Sequence, residues 1–445
     1  MFLTRDKVLV LAMLSLAMVL AIFTLLVFNQ GVQGASIENN VTSAELAPVE
    51  VPSVETPLVE VAPVEVSSYM ILNPYAGVDW DNFGQFKTSL HNHTRNSDGL
   101  ATTAELVERF YTMDYDIVAI TDHNYLTARW SEVSTGAMTA GREAEILAGT
   151  DRGGRPLIPI PFSNEQSRGE HLNTYFVKFN NSREMELEDS LRINEEMGGI
   201  SVIVHPGRYV GADASDYQSR AAAASNSYFV QRYSDIFMQF PSCIGMEIIN
   251  TGADRYPHDR ILWDNILMQT MPHNRPVWGF ANDDAHSLEE LGFAFNVLLI
   301  DREDFLLHGL NGLDARTAEE LREQSTSNPV RDAMARGAFY AVSRVDRREN
   351  INIPELLTED VLMNMLSQAT PSINSISVDE QKATITISGA NYDTVEWVAD
   401  GIVISAGSTL DVAANSAHIN SYVRAQLKGS YGIAFTQPFG IKRVD

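Results

Sequence analysis

Short apolar runs alternate with helical patterns between about residues 71 and 366, and this alternation constrains the fold more than any other feature of the sequence. The runs predicted as strands are 86–90, 117–121, 157–162, 174–179, 201–204, 245–249, 277–281 and 295–300. Repeated βα units in this number predict an α/β fold whose parallel sheet closes into a barrel. The chemistry of such a fold would lie on loops at the carboxyl ends of the strands.

One helix between the first two predicted strands is specified in detail. Thr102 and Glu105 have the spacing of a capping box, which satisfies the free backbone N–H groups of a first turn. The apolar pairs at 106/110 and 107/111 then form a stripe along one face. The sequence therefore predicts a helix that begins just after Thr102.

The pattern changes after about residue 370. Apolar and polar residues alternate over 383–388, and Val395 and Trp397 precede an Asp400-Gly401 turn. Further apolar runs occupy 402–404, 422–427 and 432–435, without helical periodicity. Residues 371–445 are therefore predicted to form a small all-β sandwich of immunoglobulin-like type, with Trp397 in its core.

The N-terminus contains a run of 21 uncharged residues, 8–28, which as a helix would be about 31 Å long and could span a bilayer. Arg5 and Lys7 precede the run, so the positive-inside rule places the rest of the chain outside the cytoplasm. A cleaved signal peptide is the alternative, since Val32 and Gly34 could be the small residues before a cleavage site. Residues 1–34 are therefore predicted to be the anchor or signal of an exported protein.

Residues 35–70 are predicted to be a linker. Between residues 36 and 68 there are six Glu, four Pro and no Lys, Arg or Asp, and the segment APVEV occurs twice. Proline disfavours regular backbone pairing and like charges repel one another, so we expect an extended, solvated spacer.

Charge and cysteine content exclude some functions. The chain has 58 acidic and 32 basic residues, a formal net charge of -26, which disfavours binding to duplex nucleic acid. Cys243 is the only cysteine, so the chain has neither an internal disulfide nor a thiolate cluster for structural zinc. Any bound metal must have histidine and carboxylate ligands.

Six of the ten histidines fall in short motifs with acidic residues, mostly at the ends of predicted strands. In chain order the motifs are His91-Asn92-His93-Thr94 with Ser97-Asp98-Gly99, Thr121-Asp122-His123-Asn124, Glu165 with His171, His205-Pro206-Gly207-Arg208, and Asp283-Asp284-Ala285-His286. Residues i and i+2 of an extended strand share a face, so both imidazoles of an HxH motif can reach one ion. Imidazole and carboxylate are ligands of zinc, manganese and iron, and nine candidate ligands are too many for one ion.

These motifs, in this order, resemble those of the PHP (polymerase and histidinol phosphatase) superfamily. The resemblance covers about residues 86–290, and it implies a distorted (βα)7 barrel, placed here at 71–366. It also implies a site for two or three divalent ions (Mn, Zn or Fe) at the carboxyl face of the barrel, which hydrolyses phosphoesters. The implied metal ligands are His91, His93, Asp98, His123, Glu165, His171, His205, Asp284 and His286. This chain reads Phe162-Ser163-Asn164-Glu165 where the family often has glycine near the acidic ligand.

Three residues are the candidates for catalysis. Arg208 follows His205 by three residues and could hold a phosphoryl group with its guanidinium fork. Asp284 or an imidazole such as His205 could protonate the leaving oxygen. The acidic composition favours a small phosphorylated substrate over a polynucleotide.

Other polar residues are expected to have lesser roles. Asn250 and Arg255 could line the same rim, and Glu247 is at least as easily explained as structural. The remaining histidines fit no motif and are expected to be ordinary surface or partly buried residues: His258, His273, His308 and His418.

Two alternative functions remain open on the sequence. The same ligands could serve hydrolysis of a lactone or an amide, because metal-activated water also attacks carbonyl groups. A barrel without activity could instead present the C-terminal strands to a binding partner, although each motif position is intact.

Overall fold

The structure is a computed structural model. It describes residues 69–444 except 182–183, 212–215, 252–257, 347 and 353–357. The predicted anchor or signal and nearly all of the predicted linker lie outside the described residues. Within the described part of the chain, no helix is long and apolar enough to cross a membrane.

The described residues form a mixed α/β structure. The strands are β1 (Tyr69–Leu72), β2 (Phe83–Ser89), β3 (Ile117–Val118), β4 (Ile158–Pro159), β5 (Asn164–Gln166), β6 (Leu172–Tyr175), β7 (Ile200–Ile203), β8 (Cys243–Asn250), β9 (Trp278–Asn282), β10 (Ala294–Asp301), β11 (Phe339–Ser343), β12 (Ser372–Asp379), β13 (Thr384–Ala390), β14 (Thr394–Ala399), β15 (Ile402–Ala406), β16 (Thr409–Asp411), β17 (Tyr422–Gly429), β18 (Gly432–Phe435) and β19 (Phe439–Arg443). The α-helices are α1 (Thr103–Thr112), α2 (Ala140–Leu147), α3 (Leu187–Glu196), α4 (Tyr217–Ala224), α5 (Ser227–Gln239), α6 (Asp259–Thr270), α7 (Arg302–His308), α8 (Ala318–Ser325), α9 (Pro329–Arg336) and α10 (Glu359–Ser367). Each of the eight predicted runs overlaps a strand.

The helix predicted after Thr102 is confirmed. Thr102 is the N-cap of α1, and both hydrogen bonds of the capping box with Glu105 are formed. The predicted apolar stripe is buried, with Val107 and Phe110 fully inaccessible to solvent. Local capping and burial of one face therefore specify this helix together.

Two groups of parallel strands form the frame of the part of the chain that carries the histidine and acidic motifs. Strands β2, β3 and β4 pair in parallel, and so do β7, β8 and β9. Antiparallel pairing joins β10 to β2, and β5 and β6 pair antiparallel before β7. Both sheets are therefore mixed, which differs from the expected parallel barrel. The reason at β5–β6 is chain length, since residues 167–171 are too few for a parallel crossover and can form only a hairpin.

Two isolated bridges connect these groups at the ends of their strands. Asn92 bridges Ala285 and His123 bridges Glu165, each in parallel orientation. The longer ladders of the described chain stay within separate sheets, β2–β3–β4 in one and β5 to β9 in another. Closure of the barrel stays a prediction.

The C-terminal strands form two layers. Strands β12, β13 and β16 make one sheet, whereas β14, β15, β17, β18 and β19 belong to the sheet that also contains β10 and β2. Trp397 is wholly buried between apolar side chains of both layers, as predicted. Asp400 and Gly401, both with positive φ, form the predicted turn between β14 and β15. An immunoglobulin-like topology stays a prediction.

Candidate metal centre

The bridge between Asn92 and Ala285 explains how the first and last motifs meet. Residues on either side of a bridged parallel pair point to the same face of the sheet. The flanking residues here are His91, His93, Asp284 and His286. The HxH and DxH motifs are therefore brought together by one backbone register.

All nine predicted ligands lie in one cluster of side chains. They form four groups whose potential ligand atoms lie within 4.8 Å of one another. The groups are His93, Asp98, His123 and His286; His91, Glu165 and His205; His91, His93 and Asp284; and His123, Glu165 and His171. The groups adjoin, because four residues each belong to two of them. The cluster could hold divalent metal ions, and its imidazole and carboxylate donors suit zinc, manganese or iron.

Asp284 lies between the two imidazoles of the HxH motif. Its Oδ1 is 3.2 Å from His91 Nε2 and 3.1 Å from His93 Nε2. Its Oδ2 accepts a hydrogen bond of 3.1 Å from the Asn250 amide. The backbone of Asp284 has a φ of 51°, a left-handed conformation that is sparsely populated outside glycine and recurs at functional sites.

Glu165 is buried at the centre of the cluster. Its Oε1 accepts a hydrogen bond of 2.7 Å from His171 Nδ1, and its Oε2 is 2.7 Å from His123 Nδ1. Strand β5 carries Glu165, and the β5–β6 hairpin returns the chain to His171. The hairpin explains the spacing of this acid and histidine, which resembles no compact motif.

Asp98 belongs to the exposed side of the cluster, with 55% of its side chain accessible. Its carboxylate is 3.4 Å from His123 Nε2 and 3.5 Å from His286 Nε2. Gly99 lets the loop fold tightly here, since a Cβ atom at this position would lie 2.4 Å from the His93 carbonyl oxygen. The Asp-Gly pair is thus both a turn and part of the cluster.

Several buried atoms of the cluster lie within ion-pair distance of a neighbour, or are isolated, but make no well-aligned hydrogen bond with the described part of the chain. They are His91 Nε2, His93 Nε2, His123 Nδ1, Glu165 Oε2 and His205 Nδ1. Leaving a buried polar atom unsatisfied costs about 1–3 kcal/mol. Five such atoms among nine converging side chains fit a set of ligands for cations, so the residues present suit metal binding.

The electrostatics of the cluster favour cations. Burial disfavours charge on His91, but three neighbouring carboxylates raise its pKa well above the usual value. Burial likewise opposes ionisation of Glu165, yet the imidazoles of His91 and His171 bring its pKa well below the ordinary value. The pKa of Asp284 is also lowered by His91 and His93 despite burial. These carboxylates are therefore ionised at neutral pH, and their charge attracts cations.

Glu247 supports the cluster by contacting residues around it, a role that the sequence left undecided. Its Oε1 lies 2.8 Å from His91 Nδ1, so the imidazole can present Nε2 to the cluster. Its Oε2 accepts hydrogen bonds from the backbone N–H of His205 (2.8 Å) and the Asn250 amide (3.0 Å). A carboxylate behind an imidazole is the usual outer partner of a metal-bound histidine.

Two further acids, Asp122 and Asp283, fix the loops that carry predicted ligands. Asp122 accepts hydrogen bonds of 2.6 Å from the backbone N–H of Thr94 and 2.7 Å from the Ser97 hydroxyl. Asp283 accepts backbone N–H groups of Gly292 and Ala294, at 2.6 and 2.7 Å. Each precedes a predicted ligand in the sequence, and strand alternation directs it away from the ligand beside it.

The loop after His205 is held at Gly207. The backbone N–H of Gly207 donates to Asp259 Oδ1 at 2.6 Å, and His258 Nε2 donates to the Gly207 carbonyl at 3.1 Å. His258 is completely buried, and this contact corrects its expected role as an ordinary histidine. His273, His308 and His418 are exposed, as expected.

We expect Gly207→Ala to destabilise the protein by about 1–3 kcal/mol, the usual cost of overpacking. The added Cβ atom would lie 2.3 Å from Asp259 Oδ1 and 2.5 Å from His258 Nε2, so the loop bearing His205 must move. Urea unfolding measures the loss of stability. Gly141→Ala in α2 is the matched control, because its Cβ atom meets nothing within 4 Å. Equal stability of the two variants would contradict this account of the loop.

The other predicted polar residues lie around the cluster. Arg208 is exposed and ends the 3-10 helix Pro206–Arg208, which follows His205 directly. His205 itself has a φ of 28°, a second unusual backbone conformation among the predicted ligands. Asn250 contacts both Glu247 and Asp284, whereas Arg255 lies outside the described residues.

The chain is similar to known structures only at low identity. The sequence matches no protein-family model and no curated protein. A two-domain protein from Bacteroides vulgatus containing a predicted PHP-like metal-dependent phosphoesterase has 15% identity and a TM-score of 0.38, over 83% of this chain and 89% of that one. An amidohydrolase from Chromobacterium violaceum with bound sulfate has 15% identity and a TM-score of 0.27, over 45% of this chain and 87% of that one. A proposed metal-dependent phosphoesterase from Bifidobacterium adolescentis has 14% identity and a TM-score of 0.26, with the same coverages of 45% and 87%.

Proposed function

We propose that the protein is a metal-dependent phosphoesterase that binds two or three divalent ions (Mn, Zn or Fe) in the cluster. The observation that carries the proposal is the convergence of nine imidazole and carboxylate side chains, with five buried atoms lacking hydrogen bonds within the described chain. The ligands would be His91, His93, Asp98, His123, Glu165, His171, His205, Asp284 and His286. Several ligands shared between neighbouring groups support more than one ion.

Divalent ions bound there would activate a water molecule for attack and neutralise oxygens of the phosphoryl group. The remaining tasks fall to side chains of this chain. Glu247 keeps the proton of His91 on Nδ1, where the two residues are 2.8 Å apart. Asp284, ionised in this cluster, can take the proton of the attacking water, and Asp284 or His205 can then pass a proton to the leaving oxygen. His205 Nε2 and Asp284 Oδ2 are 4.0 Å apart.

Arg208 supplies a cationic donor for the phosphoryl group in this proposal. Its position directly after the strained His205 loop puts a guanidinium on the same loop as a proposed ligand. The net charge of -26 supports a small phosphorylated substrate over a long polynucleotide.

We expect Arg208→Ala to reduce phosphoester turnover by about two orders of magnitude, the scale of losing one charge-stabilising donor, without changing metal content. Steady-state kinetics and elemental analysis on the same samples measure both quantities. Arg336→Ala in α9, an exposed residue paired with Asp332, is the control and should match the wild type.

The same assays separate the alternative functions. A lactonase or amidase would cleave a lactone or amide, and Arg208→Ala would leave that turnover nearly unchanged because no phosphoryl group needs neutralising. A binding protein would turn over none of these substrates at full metal occupancy. Wild-type activity confined to a lactone or amide would contradict the phosphoesterase proposal and leave the metal centre standing.

We also propose, on the sequence alone, that the protein is exported and attached to the membrane by residues 8–28, or secreted after signal cleavage. The acidic linker would then separate the catalytic part from the membrane surface.

A further inference from the structure

Tyr209 lies beside the proposed metal centre and has no part in the function described so far. It follows Arg208 on the loop that begins at His205. Its ring centroid is 5.9 Å from that of His171 and 6.3 Å from that of His205, and its side chain is only partly buried. Tyr209 therefore borders two proposed ligands and remains partly accessible to solvent.

The hydroxyl group of Tyr209 is held in place by one hydrogen bond. The backbone N–H of His171 donates to the hydroxyl oxygen at a distance of 3.2 Å. The oxygen is the acceptor in this contact, so its own hydrogen is available for another partner. Within the described residues, the hydroxyl hydrogen has no acceptor.

We propose that Tyr209 is a catalytic residue that donates a hydrogen bond from its hydroxyl to a phosphoryl oxygen of the substrate; this rests on the proposed phosphoesterase function. A phenol is neutral at working pH and donates without adding charge. The adjacent Arg208 adds a charged donor from the same loop. Arg208 and Tyr209 thus place one charged and one neutral donor on the loop that follows the proposed ligand His205.

The contact with His171 could instead be the whole role of Tyr209. In that case, removing the hydroxyl would disturb the backbone of a proposed ligand and weaken metal binding. A contact with substrate predicts weaker turnover and weaker phosphate binding at unchanged metal affinity. The two roles are therefore separated by measuring the metal and the phosphate independently.

The test is Tyr209→Phe in the metal-loaded full chain. We expect kcat/KM for a phosphoester to fall about 10- to 100-fold, the range for one donor to developing charge. We also expect the inhibition constant of inorganic phosphate to rise several-fold, while metal content, metal affinity and Tm match the wild type. Tyr228→Phe, at an exposed position in α5, is the matched control and should change none of these quantities.

Two results would overturn the proposal for Tyr209. One is an active wild type whose kinetics and phosphate inhibition are unchanged in Tyr209→Phe. The other is a loss of metal affinity that accounts for the whole loss of activity. A metal-loaded wild type without phosphoester turnover would instead refute the proposed function itself, so the two failures are distinguishable.

Discussion

Asp284→Asn should nearly abolish activity, by at least about a thousandfold, and should lower the metal content by one or more ions per chain. This exceeds the 10- to 100-fold typical of outer partners, because the change removes a proposed ligand. Asparagine has the same shape and tolerates the positive φ of this position, so the backbone should be preserved. The carboxylate that lies 3.1–3.2 Å from both His91 and His93 would become a neutral amide. Elemental analysis and kinetics on the same preparation measure both effects.

Asp98→Asn should lower the metal content and activity less than Asp284→Asn does. Asp98 is more than half exposed and contacts only the outer group of imidazoles. Its loss should release the outer ion and spare the buried groups around Glu165. Asp235→Asn, an exposed change in α5, is the charge-matched control and should keep full metal and activity. Full metal content and activity in Asp284→Asn would refute the assignment of the centre.

The sequence could predict which residues converge because each motif is local. HxH and DxH both place their side chains on one face of an extended segment, and a single bridge then aligns the two segments. Capping of α1 by Thr102 is equally local and equally predictable. Short-range patterns in the sequence were therefore enough to predict the residues of the candidate site and the positions of the strands.

Long-range partners could not be read from the sequence. Glu247 contacts His91 across 156 positions, and His258 contacts Gly207 across 51. Neither contact has a motif, since any buried acid or imidazole at the right place in the fold would serve. The prediction that the strands pair in parallel was wrong at several strands for a different reason. The hydrophobic pattern of a buried strand is the same in parallel and antiparallel pairing.

The boundary predicted near residue 370 coincides with a change of pattern but not with an end of the sheet. Strand β11 pairs with β18, so the sheet continues from the functional part of the chain into the C-terminal strands. A side chain of helix α6 also contacts the C-terminal strands. Asp264 of α6 accepts hydrogen bonds from Nε and Nη2 of Arg424 in β17, each at 2.8 Å.

Arg424→Met should destabilise the protein by about 3–5 kcal/mol, because it leaves a buried carboxylate without its main partner. The side chains of Asp264 and Arg424 are only 3% and 1% exposed, so water cannot replace the lost contact. Urea unfolding at neutral pH measures the change. Arg192→Met is the control: Arg192 is half exposed and pairs with Asp189 on the helix surface, so its loss should cost no more than about 1 kcal/mol.

The pH dependence of the Arg424→Met effect identifies its cause. Burial opposes ionisation of Asp264, but Arg424 brings its pKa below the usual 3.8. In the wild type, the ionised pair thus stabilises the fold above about pH 4, and this contribution is lost as the pH falls through the lowered pKa. Without Arg424, burial is opposed only by the contacts of Asp264 with Arg348 and the Tyr422 hydroxyl, so the pKa of Asp264 rises relative to the wild type and the penalty grows as the pH rises through it. The difference in unfolding free energy between variant and wild type should therefore shrink between pH 7 and pH 4. A pH-independent difference would show that loss of the buried ion pair is not the cause. The wild type should unfold in one transition, since β11–β18 pairing and this ion pair join the two regions, and separate transitions would show that the C-terminal strands fold on their own.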